Sequence, residues 1–189
     1  MKSSLMITAC LLLLLLLAPS LAKANGKDNA LAGSRGDEIR KGAVSGSQGR
    51  HLNADDNLRD LLAHPAFVGF AKLLLPWDGR RYDDVMRLSG IGSLLPYHSH
   101  VNPGTVVGAL NRLIDDVNTG HAVFYPFYSE EQKQEQPARE NTGLFFFRGK
   151  SGAPFAVISP GGGFSYVGSV HEGFPYATEI SARGYNAFV

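Results

Sequence analysis

Gly120 divides this chain between two hydrophobic rhythms, and that change constrains the fold more than any other feature of the sequence. Before it, Val106, Leu110, Leu113 and Val117 recur at 4-3-4 spacing, with Val107 and Ile114 widening the stripe. The pattern predicts an amphipathic helix that starts near Thr105 and is ended by the glycine. After it, Ala122–Tyr128 is aromatic and β-branched, Ser129–Asn141 is polar and charged, and Leu144–Arg148 and Phe155–Ser159 are apolar runs flanking Lys150-Ser151-Gly152. These predict a strand, a loop or hairpin tip, and two more strands joined by a turn. A helix over Phe174–Arg183, with Ala177 and Ile180 inward and Gly184 past its end, then leads to a fourth strand at Asn186–Val189. Helices followed by β-β-β-α-β specify the α/β class.

Upstream of the long helix, Asp55-Asp56-Asn57 offers capping side chains to a helix carrying Leu58, Leu61 and Leu62. Pro65 opens a second helical stretch with Phe67, Phe70, Leu73 and Leu74, stopped at Pro76. Trp77 and the run Arg80-Arg81-Tyr82-Asp83-Asp84 predict a third, shorter helix that fails at Gly90 and Gly92. Residues 51–120 therefore read as a helical segment. Residues 25–50, rich in Gly, Ser, Lys, Arg and Asp without apolar periodicity, read as a flexible tether.

The first 24 residues read as a signal peptide. Lys2 supplies the positive end, Leu5–Ala18 contains seven consecutive leucines, and Ala22-Lys23-Ala24 sets small residues where a signal peptidase cuts, before Asn25. The apolar run is shorter than the roughly 20 residues of a spanning helix, so no stable membrane anchor is expected after cleavage. An exported chain, periplasmic or secreted, follows. The single cysteine, Cys10, lies in this leader, which excludes a disulfide scaffold, a cysteine-ligated zinc and a thiol nucleophile from the mature protein. A net charge of +1 implies no basic face, and nucleic acid is not an expected partner.

The chemistry concentrates in Pro160-Gly161-Gly162-Gly163-Phe164, directly after the third strand. Three glycines let the backbone turn sharply and expose N–H groups that can hold an anion, either a phosphate or the oxyanion of an attacked ester. A P-loop requires Gly-Lys-Ser/Thr after the glycines, and Phe164-Ser165-Tyr166 stands there instead. A dinucleotide fingerprint from Gly161 requires a third glycine where Tyr166 stands.

Phe155-Ala-Val-Ile-Ser-Pro-Gly-Gly-Gly-Phe-Ser-Tyr followed by His171-Glu-Gly-Phe-Pro-Tyr-Ala resembles the oxyanion-loop region of α/β-hydrolase-fold esterases and lipases. The resemblance spans residues 122–189, with Pro160 where that family commonly carries histidine. It implies that residues 121–189 begin an α/β-hydrolase domain and that the backbone N–H groups of Gly162, Gly163 and Phe164 form an oxyanion hole. Gly161, Ser165, Tyr166 and His171 become candidate substrate contacts. It implies a serine-type carboxylic ester hydrolase acting on a small-molecule ester, needing no cofactor and no metal. No Gly-x-Ser-x-Gly elbow occurs, so the nucleophile, acid and base are expected beyond Val189, and this chain alone is expected to be inactive. The nearest decoys center on Ser34, Ser47 and Ser151, the first two in the tether and the third between two strands.

Other residues read more simply as structure. His98-Ser99-His100 is bracketed by Pro96 and Pro103 without a companion carboxylate, which favors solvated loop histidines over a metal site. His171 can line the mouth of the glycine loop, although a capping or surface role is the plainer reading. Asp83-Asp84 and Asp115-Asp116 read as solvated charge on exposed helix faces. The alternative to an enzyme is a non-catalytic exported protein that binds a ligand or partner through the helical segment and the glycine loop.

Overall fold

A computed structural model describes residues 49–77, 80–95, 97 and 100–189. The tether residues 25–48, the leader, and His98 and Ser99 lie outside the described residues. The Gly49 N–H donates to Asn118 Oδ1 at 2.9 Å, and Asn118 Nδ2 donates back to the Gly49 carbonyl at 2.9 Å.

Helix α1 (Leu58–Leu62) starts at Asn57, whose side chain accepts from the Asp60 N–H while Asp60 reaches back to the Asn57 N–H. Beyond it the chain departs from the expected α-helices. Pro65–Phe67 and Ala71–Leu74 are short 3-10 turns, residues 80–87 are not helical, and a 3-10 stretch at Leu88–Leu94 runs through both Gly90 and Gly92. In the Leu88–Leu94 stretch the apolar residues Leu88, Ile91 and Leu94 lie three apart. Three residues per turn bring such positions onto one line in a 3-10 helix. Helix α2 (Pro103–Asn118) follows the predicted stripe, with Val106, Leu110, Leu113 and Val117 buried and Gly120 at φ +83° beyond its end.

The sheet contains β1 (Phe124–Pro126), β2 (Gly143–Phe147), β3 (Phe155–Val157) and β4 (Asn186–Phe188) in the order β1-β2-β4-β3. The two outer pairings differ in sense. Strands β1–β2 and β2–β4 are antiparallel, whereas β3–β4 is parallel, with Ala156 opposite Ala187. The connection expected to be a loop between β1 and β2 instead forms helix α3 (Glu130–Glu135) and a 3-10 turn at Pro137–Asn141. Ser129 and Gln132 cap α3 reciprocally, and none of its residues is buried. Helix α4 (Phe174–Ala182) crosses between β3 and β4, entered through a π-type turn at Ser169–Gly173.

One face of the sheet packs on the helices. Phe70 stacks on Phe124 at 4.7 Å and meets Phe145 edge-on at 5.9 Å, while Phe174 meets Phe145 and Phe147 at 5.0 Å each. Phe67, Phe70, Phe147 and Phe174 are wholly buried, each contributing about 1.5–3 kcal/mol by removal from water. The helical segment and the sheet thus share one core. The opposite face carries Phe146 stacked on Phe188 at 4.6 Å, with Phe155 and Val157 beside them, each 67% exposed.

Candidate functional site

The glycine loop leaves the carboxyl end of β3, where parallel strands of α/β sheets place their ligand sites. Gly161 is tied at both of its backbone groups. Its N–H donates to Glu172 Oε2 at 2.6 Å, and its carbonyl accepts from the Gly168 N–H at 3.0 Å. The next four residues form a tight turn in which the Ser165 N–H donates to the Gly162 carbonyl at 2.9 Å. Its central residues, Gly163 at φ +56° and Phe164 at φ +62°, are both left-handed, the pattern of a type I′ turn. A methyl group at Gly162 would collide with the Tyr166 carbonyl oxygen, so only glycine fits there.

Phe164 is the non-glycine residue at positive φ among the described residues, and its side chain is fully exposed at 112%. A left-handed conformation costs a non-glycine residue about 1–2 kcal/mol, and no burial of the ring offsets it. Strain of this kind concentrates where a backbone is held for a purpose other than stability. Among the described residues, the N–H groups of Gly162, Gly163 and Phe164 donate to no protein acceptor. Three consecutive amides therefore remain available to an acceptor from outside.

A cleft of about 560 Å³ opens beside the turn. Phe164, Ser165 and Tyr166 line it together with Ile158–Pro160 from the end of β3. Leu73, Leu75 and Pro76 of the helical segment and Phe124 and Phe145 of the sheet form the opposite walls. Most of the lining is apolar, and Lys72 is the lysine on its rim. Ser165 is exposed, while Tyr166 meets the Trp77 ring edge-on at 5.7 Å.

Of the expected site residues, Phe164, Ser165 and Tyr166 line this cleft, whereas Gly161, Gly162, Gly163 and His171 are not part of its lining. Gly161 has its amide engaged by Glu172, so that donor is already used within the protein. His171 does not line the loop's mouth. It is 5% exposed, and its Nε2–H donates to the Ile91 carbonyl at 3.0 Å, because a carbonyl can only accept. With Glu172, His100, Tyr97 and Tyr176 it borders a second cleft of about 370 Å³. The surface or capping role read from the sequence is replaced by an interior one. The π-type turn is the cause, since it buries Ser169, Val170 and His171 together.

Asp116 also departs from expectation. It is buried rather than solvated, its Oδ2 has no hydrogen-bond partner, and Arg112 Nε stands 3.9 Å away. Burial pushes its carboxyl above the ordinary value, against the opposing pull of Arg112, Arg148 and His121. Asp115 does face solvent, where its Oδ1 lies 2.6 Å from His51 Nε2. Asp84 pairs with Arg59 at 3.1 Å on a non-helical stretch. Ser151 occupies an exposed turn between β2 and β3, and Ser34 and Ser47 lie outside the described residues. Among the described residues no three His, Cys, Asp or Glu side chains gather as metal ligands, and no helix is long and apolar enough to cross a membrane.

Glu172 is the residue that sequence reasoning missed. Nothing in its spacing from Gly161 marks it, because the bond depends on how the π-type turn folds back beneath the loop. Comparison with family models, with curated proteins and with solved structures finds no match to this chain.

Proposed function

We propose that this chain is the amino-terminal part of an exported, serine-type carboxylic ester hydrolase of the α/β-hydrolase fold. The observation that carries the reading is the strained turn at Gly162–Ser165, which presents three uncommitted amides at the carboxyl end of β3 beside a largely apolar cleft. When a serine oxygen attacks an ester carbonyl, negative charge develops on the carbonyl oxygen. Fixed N–H donors lower that barrier because they are oriented before the charge appears. The N–H groups of Gly162, Gly163 and Phe164 would take this role. The largely apolar walls of the cleft suit the uncharged body of a small-molecule ester.

The serine, histidine and carboxylate are assigned to sequence following Val189, with the serine on a strand-to-helix elbow. The chemistry requires no metal or organic cofactor. The test is to read the gene past Val189, produce the encoded protein and treat it with a fluorophosphonate. Labeling of one serine within Gly-x-Ser-x-Gly supports the reading, and a frame without such a serine, or without labeling, contradicts it. Mass spectrometry of the exported product should find Asn25 at its amino terminus.

A further inference from the structure

We propose that Glu172 is the positioning residue of the glycine loop: its carboxylate fixes Gly161 and so sets which amides the loop offers to a ligand. Its role in an oxyanion site rests on the function proposed above. Glu172 Oε2 accepts the Gly161 N–H at 2.6 Å, a short distance typical of a charge-assisted bond. The carboxylate is packed between two glycines: an added Cβ at Gly161 would stand 2.6 Å from Oε2, and one at Gly168 would stand 3.2 Å from the carboxyl carbon. Side chains at either position would displace it. The same two glycines bond to each other, Gly168 N–H to Gly161 carbonyl at 3.0 Å, and the Glu172 N–H donates to the Gly168 carbonyl at 2.8 Å. Glu172 thus closes a ring of contacts at the base of the loop.

This arrangement divides four consecutive amides into two groups. The amide of Gly161 is occupied by an internal anion, whereas those of Gly162, Gly163 and Phe164 are held beyond it in the left-handed turn.

The experiment measures amide hydrogen exchange by NMR on the 189-residue chain and on Glu172→Gln and Glu172→Ala. In the unaltered chain the Gly161 amide should exchange about tenfold more slowly than those of Gly163 and Phe164. Glu172→Gln retains an acceptor oxygen, so it should keep most of this protection while moving the Gly161 amide proton upfield, toward a neutral bond. Glu172→Ala should abolish the protection and shift the Gly162–Phe164 resonances. Equal exchange at Gly161 and Gly163 in the unaltered chain overturns the proposal, as does protection unchanged in Glu172→Ala. Should Glu172→Ala not fold, the unaltered chain and Glu172→Gln decide the matter. None of these readouts requires ester turnover, so a protected Gly161 in a protein that never hydrolyzes esters would remove the enzyme reading and leave the positioning role standing.

Discussion

His171 Nε2–H donates to the carbonyl oxygen of Ile91 across 3.0 Å, joining the turn beneath the glycine loop to the helical segment. Two other ties run the same way: the Val167 N–H donates to the Pro76 carbonyl at 3.0 Å, and Tyr166 meets Trp77. The helical segment therefore supports the loop from below as well as sharing its core.

Replacing His171 with alanine should lower stability by about 1–3 kcal/mol, the cost of leaving a buried carbonyl without its donor. Urea denaturation followed by circular dichroism measures it. An unchanged midpoint would show that the Ile91 contact contributes nothing.

Phe164→Asn should raise stability by about 0.5–1 kcal/mol. Asparagine adopts left-handed backbone more readily than phenylalanine, and a fully exposed ring gives up no burial. Thermal unfolding of the two proteins checks this, and a lower Tm for the asparagine variant would show that the Phe164 ring makes a stabilizing contact.

Asp116 predicts a pH dependence of definite sign. Its carboxyl is held above the ordinary value by burial, so the folded chain binds this proton more readily than the unfolded chain does. Its effect on stability is most favorable below the ordinary carboxylate range and is lost as pH rises through its raised pKa. Asp56 acts in the opposite sense. Its hydrogen bonds from Arg50 hold it below the ordinary value, and the stability it adds is lost as pH falls. Asp116→Asn should therefore gain on the parent protein between about pH 3 and pH 7, read from urea midpoints. A difference that stays constant over that range contradicts the assignment.

Much of this architecture is legible in the sequence because it depends on local periodicity. The 4-3-4 stripe of α2, the Asn57 cap and the strand order along the chain all follow from residues near one another. Two local signals were present and misread. Three-residue spacing at Leu88, Ile91 and Leu94 matches a 3-10 stretch, and Ser129-x-x-Gln132 marks a capping box even though α3 has no apolar face. Asp116 lies seven residues after Ala109 and three after Leu113, both buried, which sets it at the edge of the buried stripe. The loop itself was visible as three glycines, but its division was not. The bond from Gly161 to Glu172 and the burial of His171 arise from a π-type turn, which leaves no periodic trace.

The central claim is that the Gly162–Phe164 amides stabilize an oxyanion, and Gly162→Val in the protein read through past Val189 tests it most directly. The substitution drives a side chain into the Tyr166 carbonyl and so displaces the loop that carries the donors. With a short-chain aryl ester, kcat should fall by about 10²–10³-fold, the effect of losing one oxyanion donor, with little change in KM. Turnover at the parental rate from a folded Gly162→Val protein would contradict the account.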